Sequence, residues 1–569
     1  MAPAGRIVGG CGCGGIGCGR GSGGGSGVRR VGLRTAATSV RLRVQAIGVA
    51  LAFTLLPTDA VTSGGLPRYV LCPDEPAFPT VTLAGGTLTV FAASLVKRWN
   101  RGLLLHAPVL WDDNAGWTPH LPCQDCPRPS RPFEEVLPEI TFLEARRLSR
   151  MSPEEHASIE KRGERLRRYA KCFGRPLPEG TQVGCRLGAN TNATITEGTL
   201  LRFSNGELLH DFAQCLVDSR VIRQWKRTQK TPRRLTLDLV FATPEDRDRR
   251  GRDGTLAEGA PDGDMPTVRL QLCRVDRPWQ QAAFCTMPLH RLDRLERELP
   301  WAMDDWLAYH LDFLGFDQGD VYDVDGSFAP ILARRNRGRR KKGQGKVAYH
   351  GHWPKRLSQA MAALSAKHPG CTETWAYAHC LATHRALSRW VVILHSPDEY
   401  LGPGANNLTR TLHKIAVDHH GDDPVGLFYI KNKQWALGGP AAHYDPANRG
   451  AVLTAARSRD RVVRYGYALL DPGICLCAGP HTCHRESTDV RHIFVQDIPP
   501  ESLVMHHYVE MLERDRGSCE HFADEPCDVE DDPSASRLTS AFLEFLRSSG
   551  APGVDGQDEG KAVDEREHG

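Results

Sequence analysis

The chain lacks any strong excess of charge: 72 Lys and Arg stand against 68 Asp and Glu, a formal net charge of +4. That balance removes the whole-chain argument for a nucleic-acid partner, which a strongly basic protein would carry. The chain also lacks an apolar run of the length a membrane-spanning helix needs, about 20 residues. The nearest approach is Val44–Leu56, thirteen largely apolar residues behind Arg34, Arg41 and Arg43, and no second span follows. No internal repeat is detectable. What is present is enough for more than one core. At 569 residues with 40% hydrophobic content, two or three domains are expected, while 56 Gly and 38 Pro imply extensive loop.

Positive charge ahead of a short apolar run is the layout of a signal peptide or signal-anchor. Residues 44–60 are therefore expected to direct secretory entry, with Thr58-Asp59-Ala60 a poor cleavage site. Residues 1–43 before them form a Gly- and Arg-rich, low-complexity tail that cannot bury a core. Of eighteen cysteines, fifteen lie beyond the apolar run, which suits an oxidising compartment where disulfides persist. An odd number leaves at least one unpaired, and the connectivity stays open. Sequons at Asn192-Ala193-Thr194 and Asn407-Leu408-Thr409 are candidate glycosylation sites.

Residues 66–265 read as a separate, less regular accessory region of α+β type. Val81–Phe91 alternates as a strand pair with Gly85-Gly86 at the turn. Ser152-Pro153-Glu154-Glu155 is a helix start, with Ser152 as cap and Pro153 at the first position, for a helix to about Tyr169. Pro244–Gly263 is charged and Gly-rich, as a linker would be. Cys123-x-x-Cys126, flanked by prolines, favours a looped disulfide over a redox or zinc motif.

The chemistry concentrates in two segments. In 306–327, Trp306, Tyr309, His310, Phe313 and Leu314 recur at helical spacing, and Gly315 supplies a stop. A strand then runs through Val321 and Tyr322 into Asp323 and Asp325. In 389–401 an apolar run, Trp390–Leu394, again ends in acids, Asp398 and Glu399. Carboxylates at the carboxyl ends of buried strands suit a metal, or a diphosphate carried on one. The strand–helix alternation from Thr267 or Ala282 onward predicts an α/β class with a mainly parallel sheet.

Taken in order, Trp306/Tyr309/His310, Tyr322-Asp323, Cys380, Trp390…Asp398-Glu399-Tyr400 and His507-Tyr508 resemble glycosyltransferase family 92 over roughly residues 268–515. The resemblance implies a GT-A-like mixed, mainly parallel sheet flanked by helices across a catalytic domain at 266–519. An acidic, partly disordered tail at 520–569 follows, with one amphipathic helix through Leu538, Phe542 and Leu546. It implies a single-pass type II Golgi membrane protein with a cytoplasmic 1–43 tail and a lumenal catalytic domain, or else a secreted one. It further implies transfer of a hexose, galactose or a relative, from a UDP-sugar to a glycan or glycoprotein acceptor with inversion, assisted by Mn²⁺ or Mg²⁺.

Onto this sequence the resemblance carries Asp398 with His395 and His507 as metal ligands, Glu399 as the catalytic candidate beside the acceptor, and Asp323 and Asp325 at the nucleotide. Tyr309, His310 and Arg464 are further substrate-side candidates. The family's D-x-D is altered here to His395-Ser396-Pro397-Asp398-Glu399, so an imidazole stands where a carboxylate is expected. Imidazole and carboxylate together still suit Mn²⁺. Each residue has a plainer reading: Asp323 and Asp325 also spell a tight turn, and a histidine on an apolar helix face is often a core residue. A base is not singled out between Glu399 and Asp445. Alternatives to the transferase are a catalytically silent glycan-binding protein and a metal-dependent phosphoesterase using Asp418-His419-His420-Gly421-Asp422-Asp423. Arg334–Lys346 carries eight basic residues without the interleaved aromatics that stack bases, so a solvated loop or an anionic glycan contact is expected rather than nucleic acid. Cys475-x-Cys477 and Cys483-His484 near His481 do not follow zinc spacing and point to disulfides.

Overall fold

The computed structural model describes residues 67–112, 177–217, 232–245, 265–338, 345–357, 372–437, 449–508, 529–530 and 533–551, with brief interruptions inside several of these. Residues 1–65, the expected helix at 152–169 and most of the expected linker lie outside the described residues. No helix among the described residues is long and apolar enough to cross a membrane.

The N-terminal half is built from antiparallel strands: β1 (Tyr69–Leu71), β2 (Thr80–Leu83), β3 (Gly86–Val90), β4 (Ser94–Arg98), β5 (Gly102–Asp112), β6 (Gln182–Leu187), β7 (Thr196–Ser204), β8 (Leu209–Leu216), β9 (Arg234–Ala242) and β10 (Thr267–Arg274). Eight of them run β5-β4-β1-β10-β9-β6-β7-β8, and β8 pairs back to β5, closing a barrel. The β2–β3 hairpin, turned at Gly85 with a φ of 87°, extends β5 beyond the barrel. Period-two alternation sends Leu103, Leu105, Leu237, Leu239, Leu270 and Leu272 into a filled interior. Cys72–Cys273 ties the first strand's end to the last strand, and Cys185–Cys215 joins β6 to β8 across β7. The crossing needs Gly198 beneath it: a Cβ there would sit 2.6 Å from the Cys215 sulfur.

The second half forms a mixed, half-barrel sheet. Its strands are β11 (Gln280–Leu289), β12 (Gln318–Asp323), β13 (Lys346–Gly351), β14 (Ser388–Ile393), β15 (Glu399–Pro403), β16 (Val425–Leu437), β17 (Ala456–Leu470), β20 (Phe494–Asp497), β21 (Leu503–Tyr508) and β22 (Val529–Glu530); β18 (Cys475–Ala478) and β19 (Cys483–Glu486) make a separate hairpin. The order is β13-β12-β11-β14-β17-β16-β21-β15. The first four strands are parallel, whereas β17 is antiparallel to both its neighbours and β15 antiparallel to β21. The helices are α1 (Leu292–Glu298), α2 (Ala302–Leu307) continuing as a π-helical turn (Ala308–Phe313), α3 (Ala329–Gly338), α4 (Glu373–His384), α5 (Leu408–Asp418) and α6 (Pro533–Ser548). Gly315, φ 83°, ends the π turn at the expected stop.

The expected fold class is corrected. The chain is mostly β: a closed antiparallel barrel stands where an α+β accessory region was expected, and the second sheet is a mixed half-barrel rather than the helix-flanked, mainly parallel sheet of a GT-A-like α/β fold. The reason is local. Strand–helix alternation holds between Leu292 and Ile393, where helices make the crossovers; before it the described strands pair antiparallel, and after it the 13- and 15-residue β16 and β17 pair as one long antiparallel ladder. Thr267–Arg274 belongs to the barrel, so the second sheet starts at Gln280. Between the two halves α4 packs Trp375, Tyr377 and Leu381 into one apolar cluster with Phe91, Leu110 and Phe212 of the barrel and Val391 and Ile393 of β14.

Four disulfides are present among the described residues: the two in the barrel, Cys285–Cys380 and Cys475–Cys483, while Cys477 is free and buried. They are compatible with a lumenal or secreted protein.

Candidate metal centre

The chain leaves β14 at Ile393, passes through His395 to Asp398, and enters β15 at the far edge of the sheet, against β21. In that antiparallel pair Glu399 is opposite His507, and the amide of Tyr508 donates to the Asp398 carbonyl at 2.8 Å. The register therefore brings two carboxylates and an imidazole together: donor atoms of Asp398, Glu399 and His507 all lie within 4.8 Å of one another. His507 Nε2 is 3.3 Å from an Asp398 oxygen, and Ser396 donates its hydroxyl to the other.

Glu399 is buried and held on both oxygens. Tyr467 of β17 donates to one at 2.5 Å, and the His395 amide to the other at 2.6 Å. The His395 ring faces Glu373, at the start of α4, with 3.2 Å between Nε2 and a carboxylate oxygen. One turn along α4, the buried Tyr377 hydroxyl has no hydrogen-bond partner among the described residues and lies in the electrostatic field of Glu373 and Glu399. Side chains of His395 (33% exposed), Glu373 (27%) and His507 (21%) form the open side, while Asp398 and Glu399 form the floor.

The electrostatics follow from this crowding. Burial pushes the Glu399 carboxyl up to about 7, only partly offset by the two imidazoles. For His395, burial disfavours charge, but Glu373, Glu399 and Asp398 outweigh it and raise the imidazole to about 9. Burial opposes charge on Asp398 and His507 as well; each nevertheless stabilises the other's charge, so Asp398 is lowered and His507 raised. Two carboxylates and an imidazole match a hard or borderline divalent cation such as Mn²⁺ or Mg²⁺.

The remaining expected residues fall elsewhere. Asp323 accepts from Tyr349, Gly326 and Phe328, and Asp325 from the Arg291 and Ser327 amides; this is a turn built on carboxylates, at the end of β12. Tyr309 and His310 are buried in the core. Tyr309 donates to the Leu401 carbonyl at 2.8 Å, His310 Nε2 accepts from the Leu401 amide at 3.4 Å, and Trp306 donates to the Glu399 carbonyl at 2.9 Å. The α2–π segment thus grips the backbone of β15 at alternate residues, which positions Glu399. Arg464 lies in β17, but its side chain is outside the described residues, as are Asn192, Asp445 and the His419–Asp423 stretch. Asn407 is exposed and its side chain accepts from the Arg410 amide at the start of α5. Arg334 of the basic run pairs with Glu296 and Asp304, and Arg335 with Asp312.

Glu373, Tyr377, Ser396 and Tyr467 were not among the expected site residues. The Glu373/Tyr377 spacing of one helical turn was visible in the sequence, but nothing there tied α4 to the end of β14. No family model, no curated protein and no solved structure matches this chain. The resemblance to glycosyltransferase family 92 therefore rests on its ordered motifs alone.

Proposed function

We propose that this chain is a divalent-metal-dependent glycosyltransferase that moves a hexose, galactose or a close relative, from a UDP-sugar to a glycan or glycoprotein acceptor with inversion. The observation that carries the reading is the convergence of Asp398, Glu399 and His507 on one point, with His395 beside them. Asp398, Glu399 and His395 come from the altered acidic segment after Trp390, and His507 from the late His507-Tyr508 pair. Asp398, Glu399 and His507 would hold Mn²⁺ or Mg²⁺, which supplies charge neutralisation for a departing diphosphate. His395 stands at the open side of the same site with its ring facing Glu373. Glu373 is the most exposed of the site's described carboxylates, so an acceptor hydroxyl arriving from solvent meets it first, and it is our assignment for the base. The disulfides fit a lumenal chain, and a Golgi address with an N-terminal anchor belongs to this same proposal.

The test is UDP release by the full chain with a panel of UDP-sugars and glycan acceptors, with Mn²⁺ and with chelator. Metal-dependent release that disappears in Asp398→Asn supports the reading. Metal-independent release, or release unchanged in Asp398→Asn, contradicts it. A second reading, a silent glycan-binding protein, draws on one observation: both Glu399 oxygens already have hydrogen-bond partners within the protein. It predicts glycan binding without UDP release from any donor. Glu373→Gln should lower the turnover rate by roughly 10²–10⁴-fold while leaving metal affinity nearly unchanged, because Glu373 lies outside the ligand trio.

A further inference from the structure

Behind the candidate metal centre, at the other end of α4, the Cys285–Cys380 disulfide is embedded in a second set of ligand-type side chains. Cys285 in β11 is the register partner of Asp320 in the adjacent parallel strand β12. Cys380 and His384 stand one turn apart on α4, which puts them on one helix face. Two neighbouring strands and one helical turn thus converge. Donor atoms of Asp320, Cys380 and His384 lie within 4.8 Å of one another, and the Cys285 sulfur is bonded to that of Cys380. All four residues are buried.

We propose that these four residues have two mutually exclusive states: a disulfide when Cys285 and Cys380 are oxidised, and a zinc site of Cys285, Cys380, His384 and Asp320 when they are reduced. Two thiolates, one imidazole and one carboxylate make a four-ligand set suited to Zn²⁺ and leave no open position. The surrounding hydrogen bonds already orient the ligands. His384 Nδ1 is 2.7 Å from the Ser388 hydroxyl, which donates to Gln280; Asp320 accepts from Gln318 and is 2.8 Å from His350 Nε2. The 2.8 Å contact between His384 Nε2 and Asp320 is the one that zinc would replace, with Nδ1 still fixed on Ser388.

The chemistry balances with a small thiol as reductant. Two thiol molecules give up two electrons and two protons, leave as their own disulfide, and convert the Cys285–Cys380 bond to two thiols. Zinc then displaces both thiol protons, which pass to solvent, and His384 binds it through Nε2 as the neutral imidazole whose one hydrogen sits on Nδ1. The oxidised state belongs to the secretory pathway, the zinc state to a reducing compartment.

The test uses the full chain carrying Asp398→Asn, so that the other candidate metal centre does not contribute. Protein is treated with a phosphine reductant and Zn²⁺, desalted, and its bound zinc measured by plasma mass spectrometry. The reduced Asp398→Asn protein should retain about one zinc per chain more than the reduced chain that also carries Cys380→Ser. Equal zinc in the two would overturn the proposal. Cobalt read on the Asp398→Asn protein, with no cysteine replaced, guards against a misfolded variant. Reduction should bring up sulfur-to-cobalt charge-transfer absorption of two thiolates together with tetrahedral visible bands, and cobalt bound without them would equally overturn it.

Discussion

The Glu399 carboxyl sits between the Tyr467 hydroxyl and the His395 amide, with Asp398 and His507 alongside. Burial lifts it to about 7, and the imidazoles of His507 and His395 and the Tyr467 hydroxyl offset only part of that rise. His310, under the same strand, is the opposite case. Burial drives its imidazole down to about 3 against the opposing pull of the Trp306 carbonyl, and Trp306 and Leu401 occupy its two nitrogens. A folded value below the unfolded 6.5 means that the unfolded chain binds the proton first. His310 therefore withdraws stability as pH falls from about 6.5 toward 3, by about 1.4 kcal/mol per pH unit within that window. Denaturant unfolding at pH 7 and pH 5, compared with His310→Gln, should show the wild type losing more on acidification; an equal loss contradicts the neutral, buried imidazole. A glycine makes a sharper steric prediction. Gly198→Ala would place a Cβ 2.6 Å from the Cys215 sulfur and 2.8 Å from the Gln214 carbonyl. The expected cost is about 1–3 kcal/mol, read as a lowered denaturation midpoint.

At the scale of elements, the grip of the α2–π segment on β15 links the fold to the site. Tyr309→Phe removes one hydroxyl and leaves the buried Leu401 carbonyl without that donor. It should cost about 1–3 kcal/mol of stability and weaken Mn²⁺ binding, because Glu399 is two residues away on the same strand; an unchanged metal affinity would detach the grip from the site. This is also where legibility in the sequence had its limit. The helix through Trp306 and Tyr309, its stop at Gly315, the strand into Asp323 and the apolar strand ending near His395 were all readable from periodicity and glycine placement. The role of Tyr309 and His310 was not, because a buried polar side chain looks the same in sequence whether its partner is a ligand or the backbone of a strand 90 residues away. Asp323 shows the same ambiguity: three donors from its own turn and from Tyr349 satisfy it.

At the scale of the whole molecule, the barrel escaped the sequence reading because its closure depends on pairing between strands far apart in the chain. β1 meets β10 across some 200 residues, and β5 meets β8 across about 100. Local patterns carry no trace of such register, whereas the helical crossovers between Leu292 and Ile393 announce themselves. The mixed sheet's far edge is equally non-local, and it is there, in the pairing of Glu399 with His507, that the candidate centre forms. Cys72–Cys273 fixes the first of these long closures, with a sequence separation of 201. Replacing both cysteines by serine should cost about 2–5 kcal/mol and lower the thermal midpoint, with the barrel more affected than the mixed sheet in hydrogen exchange.

The most direct test is a calorimetric titration of Mn²⁺ into the full chain and into Asp398→Asn and His507→Gln, with and without UDP. One saturable Mn²⁺ site is expected, tightened by UDP and abolished in both variants. Mn²⁺ binding of equal affinity in all three proteins, or none in any of them, would contradict a metal centre at Asp398, Glu399 and His507.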